Sequence, residues 1–217
     1  MTTAGEPDRA ADRAPAHDDR PFRRLDRAVA RTRELTRDRR RTGLRPDDAD
    51  EETGTIGTDG AIGFDPWPLL HALRAVTTPV AVIGQVAGIL HGSAELTGDL
   101  DLLWSGDSGH AAELAAAFAA IEARLVDHDG RPLPCTAESF LLPKVEFESA
   151  TVSGDCCTPA LPWGDLAVGE FLGRSRHVRS SDGRELRYLT VADLIAMRRA
   201  VGRPKDLRRA DELARLP

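Results

Sequence analysis

The period of the hydrophobic positions changes several times along the chain, and each change marks an element. Phe22, Leu25, Val29, Thr32 and Leu35 recur three and four residues apart, which predicts a helix with one weak apolar stripe. From 43 to 63 the pattern stops: GLRPDDADEETGTIGTDGAIG is rich in Gly, Asp, Glu and Thr and reads as a linker. Asp65 followed by Pro66 is an N-cap with proline at the first helical position, and Leu69, Leu70, Leu73 and Val76 then mark one helix face. PVAVIG, residues 79–84, is a short apolar run ended by glycine, a buried strand, and QVAGILHG after it reads as a helix of about two turns. SAELTG makes a turn and DLDLLW a second strand. AAELAAAFAAIEARL, residues 111–125, predicts an alanine-rich amphipathic helix. KVEFESATVSGDCC, residues 144–157, alternates apolar and polar positions, as a strand pair or one long bent strand does. Thr190 with Asp193 three residues on opens TVADLIAMRRAV through a variant capping box, and Pro204 opens a last helix, PKDLRRADELARL. No internal repeat is visible.

Composition adds limits to this picture. A chain of 217 residues suffices for one domain of ordinary size plus an appendage. Its three cysteines, Cys135, Cys156 and Cys157, are odd in number and lack CxxC spacing, which argues against a disulfide framework and a zinc knuckle and for a reducing compartment. No run approaches 18 apolar residues, and MTTAGEPDRAADRAPAHDDR lacks the apolar core of a signal peptide, so the expectation is a cytoplasmic protein without membrane contact.

Charge is uneven. Residues 20–41 hold ten arginines against Asp26, Glu34 and Asp38, a surplus of +7 in a chain of formal net charge −6, so the remainder carries −13. This basic arm is read either as a solvated helix or disordered lead, or as a contact for nucleic acid or a partner. The expected organisation is therefore an arm and linker over 1–63 and a folded domain over 64–217.

Candidate chemistry concentrates in HGSAELTGDLDLLW, residues 91–104. Asp99 and Asp101 stand two apart in a strand, hence on one face, and two carboxylates sharing a face need a cation between them. Upstream, Gly84 lets the backbone turn sharply at a helix start, where unpaired N–H groups and the positive end of the helix dipole suit phosphate oxygens. Carboxylates with phosphate oxygens make an all-oxygen site for Mg2+ or Mn2+. His91 is read as a helix-end residue, Cys156 and Cys157 point to opposite faces of a strand, and Trp67, Trp104 and Trp163 are read as packing residues.

At these residues the chain resembles the nucleotidyltransferase superfamily of the polymerase beta type, whose signature is an apolar strand, a Gly-Gly or Gly-Ser pair opening a helix, and an Asp-x-Asp strand. Within it, VAVIGQVAGILHGSAELTGDLDLL and LTVADLIAMRRAVGRPKDLRRADEL are similar to small bacterial nucleotidyltransferases of the AbiEii toxin kind, over about residues 66–216. The resemblance implies an α/β fold: a mixed sheet flanked by helices, with a helical C-terminus and a disordered or helical N-terminal arm. It implies Asp99 and Asp101 as ligands of Mg2+ or Mn2+, a nucleoside triphosphate as substrate, and a third carboxylate as ligand or general base. Asp155 is the choice for the third, over Glu146 and Glu148. Gly84, Gln85 and Ser93 would border the phosphates, and Arg198, Arg203 and Lys205 would neutralise them. The acceptor is left open among RNA, a protein hydroxyl and a small molecule, and an antitoxin partner is implied.

The chain departs from the pattern at three points. Gln85 stands where the second small residue is usual, Glu95 where arginine is common, and Arg198 where lysine is common. A catalytically silent nucleotidyltransferase-like binding module is therefore the alternative reading. A nucleotide-sugar glycosyltransferase using Asp-x-Asp for manganese is a third.

Overall fold

The structure, a computed structural model, describes residues 15–45 and 54–216. Strand β1 (Ala16–His17) precedes helix α1 (Arg20–Thr36), and two 3-10 turns, Gly54–Gly57 and Asp59–Ala61, lead to α2 (Trp67–Ala72). Then come β2 (Val80–Val82), α3 (Gly84–His91), β3 (Leu102–Trp104) and α4 (Ala111–Ala119). The chain goes on through β4 (Arg124–Val126), β5 (Pro132–Leu133), α5 (Ala137–Phe140), β6 (Lys144–Glu148) and β7 (Ser153–Cys157). It ends with α6 (Gly169–Gly173), β8 (Arg176–Arg179), β9 (Glu185–Tyr188), α7 (Val191–Val201) and α8 (Pro204–Arg215). Among the described residues this is the expected α/β arrangement, one mixed sheet of nine strands with helices around it and a helical C-terminus; none of the helices is long and apolar enough to cross a membrane.

The sheet runs β1-β8-β9-β2-β3-β7-β6-β4-β5. Its centre positions the site. β3 lies antiparallel to β2, with Val82 opposite Leu102, so the end of β2 and the start of β3 meet. β7 runs parallel to β3, with Leu102 opposite Cys156, and β9 runs parallel to β2, with Tyr188 opposite Val82. The first turn of α3, the residues leading into β3, the middle of β7 and the start of α7 are thereby brought to one end of the sheet.

Period-two alternation on the central strands serves two cores. Val82, Leu102 and Trp104 pack into a large cluster with Phe22, Leu25 and Val29 of α1, Val86 and Leu90 of α3 and Phe118 of α4. Ala81, Ile83 and Leu103 face the other way, onto Phe171, Leu172, Leu189 and Met197. Thr190 accepts the Asp193 N–H at the start of α7, as its capping pattern predicts.

Several elements differ from expectation. α1 is a helix, but it is not an appendage: its stripe is Phe22, Leu25, Val29, Thr32 and Thr36, all buried, whereas Leu35 is 52% exposed. Arg24 of α1 donates to the Leu90 carbonyl at the end of α3 (2.9 Å). The stretch read as a linker is ordered where it is described, with Ala61 and Phe64 buried; residues 46–53 of that linker lie outside the described residues, as does the arm's beginning, 1–14. The helix over 111–125 stops at Ala119, and its last residues enter β4, which pairs with β6 on one side and β5 on the other. The strand DLDLLW is regular only over its last three residues. KVEFESATVSGDCC is a strand pair, β6 and β7 antiparallel with Glu146 opposite Asp155.

Candidate active site

A cleft of about 290 Å3 opens where β2 ends and β3 begins, beside the middle of β7. Eight of the nine residues expected from sequence line it: Gly84, Gln85, Asp99, Asp101, Asp155, Arg198, Arg203 and Lys205. Ser93 does not.

Gly84 has φ +61°, and a Cβ there would run into the Asp101 carboxylate. Glycine is thus required twice over, for the left-handed backbone and for the approach of Asp101 to the first turn of α3. The Ile83 N–H donates to the Asp101 carbonyl (2.9 Å), which fixes that approach from the other side. Gly154 plays the same part on β7. A Cβ at Gly154 would collide with the Leu100 carbonyl, and the Leu100 N–H donates to the Ser153 carbonyl (2.8 Å). With the backbones this close, the Asp155 N–H reaches the Asp101 carboxyl.

The carboxylates experience different surroundings. Burial raises Asp101 well above the ordinary carboxyl range, and the charges of Asp99 and Asp155 raise it further. Asp99 accepts from the hydroxyls of Thr55 (2.8 Å) and Thr97. Asp155 meets Lys144 Nζ at 3.5 Å, and Lys144 also meets Glu146 at 3.1 Å. Glu146 shares the face of Asp155, its cross-strand partner, but is paired with Arg45 (2.8 Å), and Glu148 lies 3.9 Å from Arg41; of the three, Asp155 is the one that lines the cleft.

The residues fit a divalent cation by the chemistry of the donor set. Three carboxylates line one cleft, one of them is disfavoured as an anion, and all offer hard oxygen atoms. They do not draw together as they stand: among the described residues, the group of three whose donor atoms all lie within 4.8 Å of one another is Asp127, His128 and Asp129 on the β4–β5 turn. There the Asp127 carboxylate accepts the Asp129 and Arg131 N–H groups of its own turn (2.9 Å each). The three cleft carboxylates repel one another, and hydroxyls and Lys144 hold Asp99 and Asp155 in place.

Gln85 lines the cleft but is only 3% exposed, and its side-chain amide is fully engaged. Its amide donates to Ser93 Oγ (3.0 Å) and to the Glu95 carbonyl (2.8 Å), and its Oε1 accepts from Arg198 (2.8 Å). Ser93 therefore sits behind Gln85, donating to Glu212 (2.9 Å), and is a support of the helix interface rather than a neighbour of phosphate. Arg198, 5% exposed, also donates to the Gly84 carbonyl (3.1 Å), while its Nη1 has no hydrogen-bond partner among the described residues. Burial, then the neighbouring Arg209, pushes Arg198 down to about 10, so it stays a cation at neutral pH. Glu95 meets Arg209 through two guanidinium nitrogens, one at 2.9 Å; burial raises its carboxyl, but Arg209 outweighs that and holds it below the ordinary range. Arg203 meets Asp206 at 2.6 Å.

Four lining residues escape a reading by motif: Thr55, Lys144, Arg209 and Asp206. Thr55 is the least foreseeable, since it lies in the stretch read as a linker. Its anchor is Arg39, just beyond α1, which donates to the carbonyls of Ile56 (2.6 Å) and Thr58. The cluster of arginines before a Gly-Thr run is the only signal, and clusters of that kind more often mark a solvated face.

Comparison with known protein families and with curated proteins finds no match for this chain.

Proposed function

We propose that the cleft is a metal-dependent nucleotidyltransferase site, which transfers a nucleoside monophosphate from a nucleoside triphosphate to an acceptor hydroxyl. The observation that carries this reading is the gathering of a glycine-led helix start, three carboxylates and five basic side chains (Lys144, Arg198, Arg203, Lys205 and Arg209) around one cleft. Asp99, Asp101 and Asp155 would hold Mg2+ or Mn2+, which supplies charge stabilisation at the attacking and leaving oxygens. The first turn of α3 offers backbone N–H groups to phosphate, and Arg203, in the turn between α7 and α8, and Lys205, in the first turn of α8, line the same cleft. The acceptor oxygen bonds to the α-phosphorus as the bond from that phosphorus to the bridging oxygen breaks. Pyrophosphate leaves, and the hydroxyl proton passes to Asp155, the carboxylate at the open side of the group.

The silent-module alternative rests on Gln85 and Glu95, and the packing weakens both grounds: the Gln85 amide is held by Ser93, the Glu95 carbonyl and Arg198, and Glu95 is neutralised by Arg209. An RNA acceptor and an antitoxin partner have the family resemblance and the arginine count behind them. The test is calorimetric binding of a non-hydrolysable nucleoside triphosphate with and without Mg2+. Binding that needs Mg2+ and is lost in Asp101→Asn is expected. Binding indifferent to both removes the proposal, and tighter binding of a nucleotide sugar points to the glycosyltransferase.

A further inference from the structure

A second and larger hollow, about 670 Å3, lies on the other side of the same carboxylates. Asp99 and Asp155 line both spaces. β7 runs beneath the two: Ser153, Asp155 and Cys157 share one strand face, and they line the groove, both spaces, and the cleft respectively. A molecule in the groove is thus placed across Asp155 from a molecule in the cleft.

The groove is built from the β4, β5 and β6 edge of the sheet and from the two stretches 39–45 and 54–61. These stretches are fastened to each other: the Asp59 carboxylate accepts the Thr42 (3.0 Å) and Gly43 (2.8 Å) N–H groups, and the Asp59 N–H donates to the Leu44 carbonyl (2.9 Å). Apolar surface comes from Leu44, Val126 and Pro132, the last two on the strand face that carries Glu146 and Asp155. The volume is that of a small-molecule site.

Charge differs between the two spaces. The cleft carries five basic side chains against four carboxylates, whereas the groove has three arginines, Arg41, Arg45 and Arg124, against five carboxylates. Each of the three has a carboxylate at hand: Arg45 on Glu146, Arg41 near Glu148, and Arg124 directly opposite Glu148 in the strand register. Polyanions bind through cations that are free to release counterions, and this lining offers no surplus of them. The arginines of α1 lie outside the groove lining, and four of the six, Arg20, Arg23, Arg31 and Arg33, meet Asp18, Asp19, Glu34 and Asp65.

We infer that the groove is the acceptor site and that its occupant is an uncharged, hydroxyl-bearing small molecule with an apolar face, not a nucleic acid. This inference rests on the nucleotidyltransferase reading for the word acceptor, and on the groove alone for the class of occupant.

The probe is phenyl β-D-glucoside, neutral and hydroxyl-rich with one apolar ring, observed by saturation-transfer NMR on the full chain. Mn2+ is then added, and its uptake by the protein is followed separately by electron paramagnetic resonance. The expected result is probe binding, paramagnetic broadening of the bound probe by Mn2+, and affinity about tenfold weaker in Leu44→Trp. Leu44 is 44% exposed, so the bulkier ring enters the groove without disturbing the core; Pro132→Trp, at an exposed position on the β5 strand, fills it from the opposite wall. Absence of probe binding, or binding that neither Mn2+ nor the tryptophans affect, overturns the inference. So does a short single-stranded oligoribonucleotide that binds in the probe's place, broadens with Mn2+ and is expelled by Leu44→Trp. If the protein takes up no Mn2+, the metal site fails instead, and loss of probe affinity in the tryptophan variants still decides the groove.

Discussion

Replacing Thr55 by valine keeps the shape of the side chain and removes one hydroxyl, and a structural role and a positioning role predict different outcomes. In the native protein Asp99 accepts from two hydroxyls, Thr55 at 2.8 Å and Thr97, while Thr55 Oγ1 also accepts the Gly98 N–H at 3.2 Å. A hydrogen bond to a charged group contributes about 1.5–3 kcal/mol, and its loss leaves Asp99 held on one side only. If the lost bond appears in full as a looser metal site, affinity for Mn2+ falls about 10- to 100-fold, the range usual when a partner behind a metal ligand is removed. Global stability should fall less. The Gly98 N–H loses its acceptor, a cost of about 1–2 kcal/mol, or roughly 2–8 °C in Tm for a chain of this size.

The assay is titration of Mn2+ by the loss of its free paramagnetic signal, with thermal unfolding in parallel. Thr55→Ser, which restores the hydroxyl, should recover affinity to within about twofold. A Thr55→Val protein that melts earlier but binds Mn2+ as tightly as the native one would refute positioning and leave Thr55 a structural residue.

Gly154→Ala places a methyl group against the Leu100 carbonyl with no flexible neighbour to yield, and should cost about 3 kcal/mol, or some 6–12 °C in Tm by calorimetry. His91 is held below the ordinary histidine range by burial, its Nε2 lying 2.8 Å from the Leu189 carbonyl. A depressed base leaves the folded state short of a proton that the unfolded chain takes up, so stability is full above about pH 6.5 and declines as pH falls below it. His91→Gln should flatten Tm between about pH 6.5 and pH 5, and an unchanged slope would assign the loss to other groups.

The part of the fold legible in the sequence is the part where local pattern and tertiary need agree. PVAVIG, QVAGILHG, the β6–β7 pair and the two C-terminal helices formed as their periodicity requires, and the spacing of Asp99 and Asp101 placed both on one cleft. Ala120 to Leu125 was misread because alanine-rich sequence favours helix intrinsically, while the edge of the sheet needed a strand beside β6. β8 and β9 are only four residues each, and β8 shows a single apolar residue, Val178, among Arg and His, so the buried alternation of Leu186 and Tyr188 in β9 is too short to stand out. Among site residues, those on elements with a motif were found. Ser93 was misplaced because proximity in sequence to Asp-x-Asp says nothing about the side of α3 on which a hydroxyl lies.

The largest revision concerns where the domain begins, and it reverses what truncation should do. Read as a basic arm, residues 1–60 should be removable, with binding of the triphosphate untouched. In the structure Phe22, Leu25 and Val29 belong to the main core beside Val86 and Leu90, and from that same segment Thr55 donates to Asp99 while Arg39 holds the Ile56 carbonyl next to it. Three buried side chains of this size contribute about 1.5–3 kcal/mol each, which together compares with the whole stability of a typical domain, about 5–15 kcal/mol. Deleting residues 1–60 should therefore abolish cooperative unfolding, as followed by circular dichroism, and nucleotide binding should go with it. Deleting only residues 1–14, which precede α1, should spare both. A chain lacking 1–60 that still melts cooperatively within about 5 °C of the full chain would return α1 to the status of an appendage, since a shift that small corresponds to only about 1–2 kcal/mol.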